Sequence, residues 1–204
     1  MARRGAILDR DGTIIDFHRN AELGAVVSAF HPDQIRLLPG AALGLRMLAS
    51  AGFTLAIATN QPGAAKGEVP WAAIERTNQA LCARLRDEGV PIAAVAVCGH
   101  HPEGGPGGDP ALVRACDCRK PAPGLLLGLI AELGLDSAQS FMIGDTEVDI
   151  EAARRAGLRA ALLRDDRRCE LCPARSSPTV LRPGLAPPSH VAPRLDLLAG
   201  AILG

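Results

Sequence analysis

Short apolar runs alternate with helical patterns along most of this 204-residue chain, and that alternation limits the folds open to it. Residues 6–8, 53–58, 92–97, 140–143 and 159–163 read as strands. Residues 41–50, after Pro39-Gly40, read as a helix that Gly52 ends. A long helix over 71–88 follows Pro70, and helices over 124–133 and 147–156 stop at Gly134 and Gly157. Aromatic residues make up only 2% of the chain against 48% apolar, so a core must be built from Ala, Leu, Ile and Val. That palette and the β-α rhythm predict an α/β fold, a central parallel sheet with helices on both faces. Its length suits one domain over residues 1–204. Residues 165–189 break the rhythm with prolines and read as an irregular insertion. Residues 190–192 follow as a short edge strand and 195–203 as a closing helix. No internal repeat is present.

Lys plus Arg equals Asp plus Glu at 22 each, so no cationic field favours nucleic acid. No apolar run approaches the roughly 18 residues that span a bilayer. Met1-Ala2-Arg3-Arg4 leads into a strand rather than a secretory apolar segment, which predicts a cytoplasmic protein with reduced thiols. A monomer is expected.

In an open parallel sheet, ligands bind beyond the carboxyl ends of the strands, and four segments cluster there. Leu8-Asp9-Arg10-Asp11-Gly12-Thr13 follows the first strand. Two carboxylates two residues apart repel unless a cation stands between them, and a divalent metal with a phosphate-bearing substrate would suit. Alone, such a pair is equally two solvated acids in a turn. Ala58-Thr59-Asn60-Gln61 follows the second strand, where a hydroxyl and an amide can donate to a phosphoryl oxygen or simply shape a turn. Cys118-Arg119-Lys120-Pro121 precedes a helix: Lys120 can neutralise developing negative charge and Arg119 offers a fork for an anion, or both form a solvated basic pair. Gly144-Asp145-Thr146-Glu147-Val148-Asp149 follows the fourth strand. Asp145 is a hard oxygen ligand placed for Mg²⁺. Asp149, a turn later, orients neighbours or serves the helix dipole.

Cys98-Gly99-His100-His101 and Cys116-Asp117-Cys118 bracket a Gly/Pro-rich stretch over 98–118. Cys98, His100, Cys116 and Cys118 make a Cys₃His set fit for structural Zn²⁺, which would order a loop with no core of its own. His101 in place of His100, or plain buried thiols, are the alternatives. Cys169 and Cys172 form a lone C-x-x-C, open to a redox role, a second metal or two unpaired thiols. Cys82 reads as core.

The four segments, in this order over residues 5–163, resemble the haloacid dehalogenase superfamily of phosphohydrolases. The resemblance implies a Rossmann-like three-layer sandwich. It also implies that Asp9 is the nucleophile that becomes an aspartyl-phosphate and that Asp11 is the general acid and base. Mg²⁺ would be held by Asp9, the Asp11 carbonyl and Asp145, and Thr59, Asn60, Arg119 and Lys120 would bind phosphate and substrate. The C-x-H-H-P and C-D-C-R-K-P segments are similar to the zinc-loop members that lack a large cap domain and act on D-glycero-D-manno-heptose 1,7-bisphosphate or histidinol phosphate. The implied partner is then a small phosphorylated sugar, and the implied cofactors are Mg²⁺ and structural Zn²⁺. The chain departs from those members in Ile14-Ile15-Asp16-Phe17-His18-Arg19-Asn20 and in Thr146, both of which face the distal part of the substrate; His18, Arg19 and Arg119 could still take a second phosphate or sugar hydroxyls. The reading from another class is a non-catalytic phosphate-binding scaffold.

Overall fold

The computed structural model of the protein describes residues 3–20, 24–165 and 184–204. Six parallel strands form the central sheet: β1 (Gly5–Leu8), β4 (Thr54–Asn60), β5 (Ile92–Cys98), β6 (Phe141–Gly144), β7 (Arg159–Leu163) and β8 (His190–Ala192), in the order β5-β4-β1-β6-β7-β8. A two-stranded antiparallel hairpin, β2 (His18–Asn20) with β3 (Ala25–Val27), stands apart from it. The helices are α1 (Ala41–Ser50), α2 (Trp71–Asp87), α3 (Gly124–Leu133), α4 (Glu147–Arg155) and α5 (Leu195–Leu203).

The pleat divides the apolar residues between two layers, because successive strand side chains point to opposite faces. Ala6, Leu8, Leu55, Ile57, Phe141 and Ile143 pack with Leu45 and Leu48 of α1, Leu81 and Leu85 of α2, and Leu195 and Leu198 of α5. Ile7, Ala56, Ala58, Met142 and Leu162 pack instead with Leu125, Leu126 and Leu129 of α3 and Ile150 and Ala153 of α4. The result is the three-layer sandwich read from the sequence, with both faces of the sheet dry. Where α1 crosses α5, Gly44 permits the contact: a Cβ there would lie 2.6 Å from the Leu195 carbonyl.

The chain starts in the middle of the sheet at β1, builds outward through β4 and β5, then returns to β6 on the other side of β1. This reversal opens a crevice at the carboxyl ends of β1, β4 and β6. Among the described residues no cap domain separates these strands: the hairpin, a 3-10 turn over Pro32–Gln34 and α1 lie between β1 and β4, and α2 between β4 and β5. The strands run slightly beyond the sequence reading, β4 through Asn60 and β5 through Cys98, because each is paired to its last residue. The hairpin was not foreseen, its strands being three residues each. Among the described residues no helix is long and apolar enough to cross a membrane. Cys169 and Cys172 lie outside the described residues.

Candidate active site

Asp9 continues β1 by one residue, its N–H donating to the Ile143 carbonyl at 2.9 Å. The backbone then folds tightly, Gly12 donating to the Ile15 carbonyl at 2.7 Å. Gly12 has φ +84°, and a Cβ on it would stand 2.0 Å from Asp145 Oδ2, so glycine alone lets the loop after β1 lie against the acid after β6. Likewise a Cβ on Gly144 would stand 2.4 Å from the Asp149 side chain. Thr146 caps α4 with Asp149 as its capping-box partner, so Asp149 Oδ2 accepts from the Thr146 N–H at 3.1 Å.

Lys120 reaches the crevice from the turn before α3 and is 4% exposed. Its ammonium donates to Asp9 Oδ1 at 2.8 Å, the Ala58 carbonyl at 2.8 Å and Asp149 Oδ1 at 2.6 Å, which uses all three protons. Burial opposes that charge, but Asp149 and Asp9 outweigh it and hold the ammonium above the ordinary lysine range. Burial, reinforced by Asp149 and Asp145 and opposed by Lys120, raises Asp9 to about 7. Asn60 fixes the lysine from behind: its Nδ2 donates to the Lys120 carbonyl and its Oδ1 accepts from the Lys120 N–H, both at 3.0 Å.

Asp9, Asp11, Thr59, Asn60, Lys120, Thr146 and Asp149 line one cleft of about 170 Å³, joined by Phe17, Ser28 and Val148. Asp145 lies beneath it, 3% exposed. Carboxylate oxygens of Asp9, Asp145 and Asp149 approach within 4.8 Å of one another. Hard anionic oxygens at that spacing fit Mg²⁺. Asp149 has both its oxygens engaged, Oδ1 by Lys120 and Oδ2 by Thr146, whereas Lys120 meets only Oδ1 of Asp9.

Three positions differ from the sequence expectation in where they point. Arg119 Nη1 donates to the His100 carbonyl at 3.3 Å, and Arg119 does not line the cleft. Neither do His18 and Arg19; Arg19 pairs with Asp16 at 3.2 Å, and Phe17 between them faces the cleft instead. Residues the sequence reading passed over complete the site. Arg10, fully buried, donates to Asp11 through Nε at 3.0 Å and Nη2 at 3.2 Å. Gln61 Nε2 donates to Asp11 Oδ2 at 2.5 Å and to Thr59 Oγ1 at 2.9 Å. A cation between two acids in an apolar run was the one available signal for Arg10.

A second cluster borders the site. Cys98 at the end of β5 meets His100, Cys116 and Cys118, with sulfur–sulfur separations of 3.7, 3.2 and 3.3 Å and His100 Nδ1 at 3.8 Å and 3.2 Å from the Cys98 and Cys118 sulfurs. Zn–S bonds of about 2.3 Å in tetrahedral array put sulfurs roughly 3.8 Å apart, so the donor set fits zinc in kind and in spacing. Burial and Arg114 lower His100, favouring the neutral imidazole that a metal needs. Burial and the adjacent Cys98 and Cys116 sulfurs push the Cys118 thiol up, as thiolates crowded without a cation require. His101 is occupied otherwise: its Nδ1 accepts from the Gly104 N–H at 3.1 Å.

A doubly flanked parallel sheet with paired acids, a buried lysine and a strand-end threonine at its switch point is the arrangement of an α/β-class phosphatase. A family model described as HAD-hydrolase-like matches residues 117–196. The D-glycero-β-D-manno-heptose-1,7-bisphosphate 7-phosphatase of Pasteurella multocida is 34% identical over 161 residues, 79% of this chain and 81% of that one. The enzyme of the same name from Escherichia coli K12 is 35% identical over 156 residues, 76% of each chain. Among solved structures, the D,D-heptose 1,7-bisphosphate phosphatase of B. bronchiseptica, complexed with magnesium and phosphate, superposes with a TM-score of 0.74 at 27% identity over 98% of both chains. The chain belongs to the haloacid dehalogenase-like phosphatases.

Proposed function

We propose that this phosphatase removes the C7 phosphate of D-glycero-D-manno-heptose 1,7-bisphosphate through an aspartyl-phosphate on Asp9. The observation that carries the reading is the Lys120–Asp9 contact of 2.8 Å inside a cleft that also presents Asp11 and Thr59. Asp9 attacks phosphorus in line, forming the Asp9–phosphorus bond as the bond to the sugar oxygen breaks. Asp11 gives its proton to that departing oxygen, then takes one from the water that hydrolyses the phosphoaspartate. Thr59 holds a transferring phosphoryl oxygen, Lys120 turns the proton it gives Asp9 to another as Asp9 bonds phosphorus, and Asn60 keeps Lys120 in register. Asp9, Asp145 and the Asp11 carbonyl would hold Mg²⁺, whose charge offsets the repulsion between an anionic nucleophile and an anionic ester.

Cys98, His100, Cys116 and Cys118 would hold Zn²⁺ as a structural clip, four protein ligands leaving no open position. Reduced thiolates suit the cytoplasm, where we place the enzyme as a monomer.

Histidinol phosphate and other small sugar phosphates form a second reading, favoured by Arg119 and Arg19 standing outside the cleft, which leaves the far end of the substrate less fixed. Phosphate release from a panel holding both heptose bisphosphate anomers and histidinol phosphate decides between them. The expected result is the highest kcat/KM on a heptose bisphosphate. A preference of tenfold or more for histidinol phosphate would overturn the substrate assignment.

A further inference from the structure

Arg10 is the largest fully buried side chain among the described residues, and a buried guanidinium needs a reason. Its fork closes on Asp11: Nε donates to Oδ2 at 3.0 Å and Nη2 to Oδ1 at 3.2 Å. The other ends are anchored. Nη1 donates to Asn78 Oδ1 on α2 at 2.7 Å, and Nη2 also reaches the Ala29 carbonyl, two residues beyond β3, at 3.0 Å. Gln61 adds a second donor to Asp11 Oδ2 at 2.5 Å and ties it to Thr59. The Asp11 carboxylate is thus held by Arg10 and by Gln61 just past β4, and Arg10 in turn by α2 and by the segment after the hairpin. Oδ2 has two donors and Oδ1 one, so Oδ1 keeps a lone pair for a proton.

We propose that Arg10, anchored by Asn78, is a positioning residue that fixes Asp11 at the edge of the cleft for proton transfer. The proposal rests on the reading of Asp11 as general acid. Arg10 does not touch substrate; Asp11 delivers the proton to the departing oxygen as the phosphorus–oxygen bond breaks and the Asp9–phosphorus bond forms. Swinging of a loose Asp11 would cost most where the leaving group most needs a proton.

That dependence supplies the test. kcat/KM reports the steps through departure of the leaving group. p-Nitrophenolate leaves without a proton, whereas the alkoxide of an alkyl phosphate such as glycerol 3-phosphate does not. Arg10→Lys keeps a buried cation but not the fork, and Asn78→Ala removes the anchor while leaving the Arg10–Asp11 pair intact. With magnesium present, each is expected to lower kcat/KM on the alkyl ester by about tenfold to a hundredfold, a fraction of what general acid catalysis supplies. On p-nitrophenyl phosphate the loss is expected to stay within about threefold. Equal losses on both esters, or no loss on either, would overturn the proposal, the first by showing a merely structural role. Wild-type protein that releases nothing from p-nitrophenyl phosphate would instead overturn the phosphatase mechanism itself.

Discussion

Lys120 shows how much of the site depends on one side chain. Its ammonium stands between Asp9 and Asp149 and binds the Ala58 carbonyl as well, so two acids share one buried cation. Asp9, raised to about 7 by burial and by Asp149 and Asp145, therefore holds a proton over part of the neutral range when no metal is bound. A metal ligand must be deprotonated, so with Asp9 as the proposed ligand a proton would compete with Mg²⁺ below pH 7. The magnesium concentration for half-maximal activity is expected to rise as pH falls from 8 to 6, approaching about tenfold per unit where one proton is displaced. Titrating activity with MgCl₂ at fixed ionic strength across that range checks it; a flat half-activation constant would contradict it. That Asp9, Asp11, Thr59, Lys120 and Asp145 gather at one edge of the sheet was legible in the sequence, because four of them follow strands and Lys120 precedes a helix, positions that a βα rhythm locates without coordinates. Arg10, Gln61 and Asn78 were not, because their roles depend on side-chain direction, and Asn78 comes from a helix 68 residues beyond Arg10. The direction of Arg119 was hidden for the same reason: its position is beside the cleft while its guanidinium turns to the His100 carbonyl.

The elements follow apolar period closely enough that all five helices and the sheet strands were read within a few residues. The hairpin of β2 and β3 escaped because three-residue strands carry too little alternation to register. The Gly/Pro-rich loop between Cys98 and Cys118 is held by its ends, and two residues past Cys118 stands Lys120. Stripping the zinc proposed there is expected to reduce turnover at saturating magnesium, because the backbone that carries Lys120 loses its clip. Elemental analysis should find about one zinc per chain before chelation, and added zinc should restore activity; full activity in zinc-free protein would sink the link. At the crossing of α1 and α5, Gly44→Ala is a sharper test of packing. Alanine is the better helix former by about 1 kcal/mol. Its methyl would nonetheless meet the Leu195 backbone at 2.6 Å, and the overpacking is expected to win, leaving the variant about 1–2 kcal/mol less stable in urea unfolding.

At the scale of the molecule, the order β5-β4-β1-β6-β7-β8 is what gathers distant segments. Asp9, Thr59, Lys120 and Asp145 are spread over more than a hundred residues, and the reversal at β1 brings them to one edge of the sheet. The sandwich itself was readable from the alternation because a chain with almost no aromatics has few other ways to bury so much Ala, Leu, Ile and Val. The geometry also supports proposing Asp9 rather than Asp149 as the nucleophile: Asp149 has both oxygens engaged, by Lys120 and by Thr146, whereas Lys120 meets only Oδ1 of Asp9. The most direct measurement is chemical trapping of the acyl phosphate. Enzyme quenched during turnover of p-nitrophenyl phosphate with Mg²⁺ and reduced with borohydride should carry homoserine in place of aspartate at position 9, and at no other acid. Aspartate intact at position 9 throughout turnover, or homoserine at Asp11, Asp145 or Asp149, would contradict the mechanism.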